Sequence, residues 1–253
     1  MFRLFRRLRQ RLIFNQKFDK YFFYAVGEIF IVFLGILIAL QVNNWNEERK
    51  RRILEISILQ AIKTDLEQDI DEWNRDIGVH NEALTSITIV IDHLAKELPH
   101  TDTLDYHFLT STVTSSFSYH SGALETLKST GINILTNEEL RIEIVDIYTN
   151  WYYYMILLSK HLNDWHFYGV ENIFISRFIQ AHNFDDYTTK KLWDGEMVPL
   201  NYDSLVHDDE YRYYLLTFKN DTIYYLNELL KSEQRVKDLI AQIDSEIQKL
   251  ESS

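Results

Sequence analysis

The chain has 253 residues, a formal net charge of -12, no Cys, seven Gly and two Pro. Without Cys it can build no disulfide scaffold, thiolate zinc site or cysteine nucleophile, and its negative charge disfavours nucleic acid as a partner. So little Gly and Pro leaves few tight turns, which predicts long helices and an all-α fold.

The charge is unevenly distributed. Residues 1–52 carry eleven Lys/Arg against Asp19, Glu28, Glu47 and Glu48, a net +7, so the remainder carries -19. In the leading segment, 1–20, Phe5, Leu8 and Leu12 share one helical face with Arg residues between them, the pattern of a helix lying in a headgroup region, with a disordered basic tail that only enforces orientation as the alternative. Residues 21–42, YFFYAVGEIFIVFLGILIALQV, are apolar except for Glu28 and Gln41. As a helix they reach about 33 Å, the thickness of a bilayer's hydrocarbon core. Tyr21 and Tyr24 at one edge and Trp45 at the other suit the membrane interface. The run passes into Asn43-Asn44-Trp45-Asn46 with no small-x-small cleavage pattern, so it reads as an uncleaved signal anchor. Seven Lys/Arg before it against four after it place the N-terminus inside and residues 43–253 on the far side.

Glu28 is the costly residue of this segment, because an ionisable group below the interface is stable only against protein, a headgroup or a water path. Stepping 100° per residue puts it on one stripe with Gly35 and Ala39, and Gly35-x-x-x-Ala39 permits close approach of a second helix. The stripe reads as an association face in which Glu28 forms an interhelical hydrogen bond, with a proton or ion relay as the alternative.

Beyond the membrane segment, Ile56, Leu59, Leu66, Ile70, Trp73, Ile77, Leu84, Ile87, Ile91, Leu94 and Leu98 recur at three- and four-residue steps, interrupted by Lys63 and His80. That is a coiled-coil-like seam, ended by Pro99. A second helix is expected over 104–130, its N-terminal half the weakest part and the Thr/Ser-rich stretch 110–118 making its middle uncertain, with Gly131 as the terminator. Thr136 as N-cap and Glu139 at N3 open a third helix that runs to about Ala181. Residues 183–199 read as the one substantial loop. A last helix from near Asp203 carries Leu226, Leu229, Val236, Ile240, Ile243, Ile247 and Leu250 in another seam. About four long helices with short connections predict an up-and-down bundle.

No phosphate-binding glycine loop, H-E-x-x-H or G-x-S-x-G motif is present, so no catalytic residue, metal ligand or cofactor is assigned. His93, His100 and His107 are seven apart, but Pro99 breaks the helix that would align them. Aromatic residues are dense, and Trp151, Tyr153, Tyr154 and Trp165 mark a candidate ligand or partner surface, with interhelix packing as the plainer reading. The run His207-Asp208-Asp209-Glu210 has the composition of a weak divalent-cation site.

The stretch Gly27-Glu28-Ile29 followed by Gly35-Ile36-Leu37-Ile38-Ala39-Leu40-Gln41-Val42-Asn43-Asn44-Trp45-Asn46 resembles an uncharacterised family of small single-span bacterial inner-membrane proteins, a domain of unknown function. Ser121-Gly122-Ala123-Leu124-Glu125 with Leu127-Lys128 looks like a second motif of that family. The resemblance implies an inner-membrane location and a periplasmic domain, and brings no activity. Together these readings give a membrane-anchored, self-associating helical scaffold or sensor-like module whose partners are the lipid bilayer, its own copies and another membrane protein. A channel or proton-coupled subunit using Glu28 and a ligand- or glycan-binding bundle are the alternatives.

Overall fold

In a computed structural model, residues 18–182 and 195–252 are described. The fold is all-α apart from one two-stranded ribbon. The chain divides into two compact units between Glu55 and Ile56.

The described part of the first unit is the N-terminal part of α1 (Phe18–Ala95). Its residues 28–50 are all exposed, including Phe30, Phe33, Leu37 and Leu40. This is the one described helix long and apolar enough to cross a membrane, its best window having a mean hydropathy of 2.4 and no buried residue. It is compatible with a single-pass membrane anchor.

The second unit is built from four limbs. The first is the remainder of α1. Every seventh residue along it, Leu59, Leu66, Trp73, His80, Ile87 and Leu94, is at most 2% exposed. The core then spreads to Ile62, Asp69, Ala83 and Val90, whereas Ile56, Ile70, Ile77, Leu84 and Ile91 are only partly buried. The expected seam is therefore present but displaced: α1 packs against several neighbours, so it buries a wider arc than a two-stranded coiled coil does. The helix ends in a Schellman motif, with Leu98 N–H donating to His93 O and Glu97 N–H to Leu94 O, and Glu97 in the left-handed region at φ 48°. Pro99 follows, where it cannot extend the helix.

The second limb corrects the sequence reading. Instead of one helix over 104–130, there are two short ones, α2 (Asp102–Thr110) and α3 (Gly122–Thr130), with residues 113–121 non-helical between them. The Ser111 hydroxyl donates to Phe108 O and the Thr112 hydroxyl to Leu109 O, and such local bonds favour termination over propagation. A 3-10 turn, Ile132–Ile134, follows.

The third limb starts at α4 (Glu138–Asp146), capped by Asn137 rather than Thr136: the Asn137 side chain accepts from Leu140 N–H at 3.2 Å. A π-helical turn, Ile147–Trp151, leads into α5 (Tyr152–Tyr168), and a second, Gly169–Ile173, ends it. The limb stops short of the expected Ala181, because Phe178–His182 forms strand β1, antiparallel to β2 (Gly195–Pro199) with Phe178 opposite Pro199. Part of the expected loop is thus strand, and its residues 183–194 lie outside the described residues. After the short α6 (Tyr202–Val206), the last limb is α7 (Asp209–Ser252).

The limbs alternate in direction. Lys63 pairs with Asp244 at 2.7 Å, while farther along α1 the His80 ring meets Tyr225 at 5.0 Å, so α7 runs against α1. The third limb also opposes α7: Asn137 donates to Glu246 at 2.7 Å, Trp151 to Ser232 at 2.8 Å, and Trp165 stacks on Tyr214 at 5.7 Å. This is the up-and-down arrangement expected of four short-connected limbs. Gly169 allows the closest of these contacts, since a Cβ there would lie 2.5 Å from the Tyr214 ring.

Candidate functional site

Residues 113–121 have no strand to pair with, yet they pass between α1 and α5. A backbone in that position must find hydrogen-bond partners among side chains. α1 supplies most of them. Asp65, Asp69, Glu72, Asp76 and His80 follow one another at steps of three or four, so they form a ladder along one helical face. Asp69 lies at its centre, fully buried. Its Oδ1 accepts from the His120 backbone N–H at 2.7 Å and from the His120 ring at 2.8 Å, and its Oδ2 accepts from the Tyr152 hydroxyl at 3.0 Å. Asp65 accepts from Ala123 N–H at 2.8 Å, capping the N-terminus of α3 from another element. Glu72 accepts from the Ser118 hydroxyl at 2.8 Å, and Trp73 Nε1 donates to Ser118 O at 3.0 Å. His80 Nε2 is hydrogen-bonded to Ser115 Oγ at 3.0 Å. From the other side, Ser159 of α5 accepts from Phe117 N–H at 3.0 Å.

Aromatic rings close over this ladder. Phe117 stacks on Trp73 at 5.3 Å, and Tyr152 lies 5.6 Å from Trp73 and 4.8 Å from Tyr119. In these surroundings burial raises the Asp69 carboxyl above its ordinary range, although the donors from His120 and Tyr152 act against that. Burial raises Asp76 likewise. His120 moves up because its ring donates to Asp69. His80 is pushed down to about 4 by burial alone. Burial also raises the Tyr148 and Tyr152 phenols.

Chemically, this is a clamp. Each of the ladder groups named is matched to an atom of the 113–123 segment. Among the described residues, no three His, Asp or Glu side chains converge as metal ligands. The spaced histidines have separate partners: His93 bonds Pro99 O, His100 bonds Asp105, and His107 bonds Ser86. In the acidic run, Asp208 and Glu210 bind the Arg177 guanidinium, and Asp208 also accepts from Tyr211 N–H at the start of α7. A cavity of about 270 Å³ adjoins Arg177, Asn201 and Asp208, but all five guanidinium N–H groups already have acceptors.

The residues singled out in the sequence lie in different places. Glu28, Gly35 and Ala39 share one face of α1, and Glu28 and Ala39 are exposed there, as is Trp45. Nothing lies within 4 Å of where a Gly35 Cβ would be. Tyr21 and Tyr24 are helical, and their side chains lie outside the described residues. Trp151 and Tyr154 come together at 5.7 Å, with Arg235 over the Trp151 ring and Tyr154 hydrogen-bonded to Tyr224. Trp165 belongs to a different cluster, stacked between Tyr168 and Tyr214, and Tyr153 is exposed. The ladder lies outside the residues singled out from the sequence, because carboxylates at helical spacing are by themselves indistinguishable from a solvated face. The signal was there in Asp69, which sits next to the apolar seam, and in His80, which occupies a seam position.

Residues 28–178 match the model of the DUF6090 family, a family of unknown function. The chain belongs to the DUF6090 family. The matched span takes in most of α1 and the whole 113–123 segment, hence both halves of the clamp, and stops before α7. The Ser121-Gly122-Ala123 stretch falls inside it, at the point where Asp65 caps α3. No curated protein and no solved structure matches the chain.

Proposed function

We propose that this DUF6090 protein is a membrane-anchored, self-associating helical interaction module of the bacterial inner membrane, with residues 1–20 cytoplasmic, 21–42 spanning the bilayer and 43–253 a periplasmic bundle. The observation that carries this reading is the contrast between α1's exposed apolar stretch and a second unit with a core of its own. A run of large apolar side chains exposed on all sides is stable in lipid and not in water. Within the second unit, the ladder side chains and Trp151, Tyr154 and Trp165 serve its own packing, which favours a scaffold over a ligand-binding bundle. Partners are the bilayer, other copies of the chain and a second membrane protein.

A phosphatase and a fluorescent reporter fused in turn after Ser253 test the topology: the phosphatase should be active and the fluorescent protein dark. The reverse pattern would overturn the periplasmic assignment. Chemical crosslinking in membranes tests self-association, which Gly35→Leu should weaken if the Gly35/Ala39 face is used. Proton flux in vesicles that is lost in Glu28→Gln, with the oligomer intact, would replace the scaffold reading by a coupled one.

A further inference from the structure

The end of the first unit carries charge that an anchor alone does not explain. Arg49, Lys50, Arg51 and Arg52 follow the apolar stretch within three helical turns, on the flank where Lys/Arg work against the orientation favoured by residues 1–20. The four are not equivalent. At 100° per residue, Arg49 and Arg52 fall on one stripe with Ile31, Leu34, Ile38 and Trp45, all within about 60° of one another, whereas Lys50 and Arg51 lie about 100° beyond its edges. Lys50 is paired on its own side of the helix, with Glu47 at 2.9 Å. The stripe faces outward along its length: Ile31, Leu34, Ile38 and Trp45 are 40 to 68% exposed, Arg49 is exposed and Arg52 partly so.

We propose that this stripe docks an anionic phospholipid, with an acyl chain along Ile31, Leu34 and Ile38, the glycerol level at Trp45 and the phosphate on Arg49 and Arg52. The proposal rests on the reading of residues 21–42 as a bilayer span and adds to it the class of lipid. Three observations select the occupant. The first is order. Toward its C-terminal end the stripe changes from aliphatic to indole to guanidinium, the sequence of surroundings met on leaving a leaflet. The second is depth. At 1.5 Å per residue the Arg49 Cα stands about 10 Å beyond Val42, and helical side chains lean toward the helix N-terminus, here back toward the bilayer, which returns the guanidinium by about 5 Å to headgroup level. The third is charge. Two guanidinium groups one turn apart present forked donors to phosphate oxygens, and Glu48, at the stripe's edge about 40° from Arg52, leaves them one positive charge in excess. That excess attracts a headgroup with a net negative charge and repels the ammonium of a zwitterionic one. The stripe lies about 90° around the helix from Glu28, Gly35 and Ala39, so a docked lipid leaves that association face open.

Native mass spectrometry of the full-length protein in mild detergent, titrated with phosphatidylglycerol and separately with phosphatidylcholine, tests this. Residues 1–20 also carry seven Lys/Arg, so the decisive readout compares two pairs of substitutions with the same change of charge. Arg49→Gln with Arg52→Gln should weaken phosphatidylglycerol binding by about tenfold or more, and Lys50→Gln with Arg51→Gln should leave it within about twofold, both with unchanged helical circular dichroism. Glu48→Gln should tighten it. Equal weakening by the two pairs would reveal a diffuse attraction and overturn the docked site, as would phosphatidylcholine binding to the wild type as tightly as phosphatidylglycerol. Displacement of the lipid by millimolar inorganic phosphate would overturn it in favour of a site for free phosphate. Release of the wild type from membranes by alkaline carbonate would remove the anchor reading and this proposal together; a carbonate-resistant protein whose two substitution pairs behave alike loses the proposal alone.

Discussion

α1 shows one helix in two kinds of surroundings. Between residues 29 and 42 its apolar side chains point in every direction and all are exposed; between 56 and 94 they form an arc that is buried against three other limbs. Backbone geometry is the same in both parts. What differs is whether polar residues share the circumference: without them the stretch is compatible with a membrane anchor, and with them the helix buries one side against protein. The second part also tolerates carboxylates among its apolar residues, of which residues 29–42 hold none, because the 113–123 segment supplies donors for them.

The contrast is tested most sharply at Asp69. Asp69→Ala would leave the His120 N–H, the His120 ring and the Tyr152 hydroxyl without their acceptor. We expect a loss of about 3 to 5 kcal/mol of bundle stability, as for other buried charged groups whose partner is removed, measured by denaturant unfolding in mild detergent with Trp fluorescence. A loss below about 1 kcal/mol would show that water replaces the carboxylate and that the clamp is dispensable.

Leucines at equivalent depth in the sequence pattern should separate the two parts next. Leu66→Ala removes a fully buried side chain and should cost about 2 to 5 kcal/mol by the same measurement. Leu37→Ala, at a position 44% exposed in α1, should leave the bundle's unfolding midpoint unchanged. Equal effects would mean that the apolar stretch packs on the bundle and is not an anchor.

His80 adds a pH dependence. Its folded pKa, about 4, lies below its ordinary 6.5, so in that window the unfolded chain binds more protons. Its contribution is therefore complete above pH 6.5 and is lost as pH falls toward 4. The shift corresponds to about 3 kcal/mol at full development. Asp69 and Asp76, with raised values, and His120, with a raised value, act in the opposite sense on acidification, so the His80 contribution is read as a difference. Unfolding of the wild type should become easier between pH 6.5 and 4 relative to His80→Phe, and parallel pH profiles would contradict this.

The smallest effect is expected at the end of α1. Glu97 holds a left-handed conformation that Gly adopts without strain, so Glu97→Gly should stabilise by about 0.5 to 1 kcal/mol. A destabilised variant would indicate that the Glu97 side chain contributes more than its backbone costs.

Hydropathy alone was sufficient for the exposed stretch of α1, and three-four periodicity for the long runs of α1 and α7, because both signals are local: they depend on which side chains are neighbours along one helix. The alternation of the four limbs followed from short connections. The displaced arc of α1 was not legible, since which side of Leu66 or Trp73 is covered depends on where α5 and α7 lie. The break at 111–121 was legible only as a doubtful Thr/Ser-rich stretch of an expected helix; local Ser and Thr hydrogen bonds compete with propagation there, and the partners on α1 that hold the non-helical segment come from elsewhere in the fold. The strand at 178–182 needed its partner at 195–199 to exist. The ladder residues share a helix face by spacing, but only the tertiary structure decided that they meet the 113–123 segment, because a carboxylate's role depends on the donors brought to it from about 50 residues away, as His120 is to Asp69.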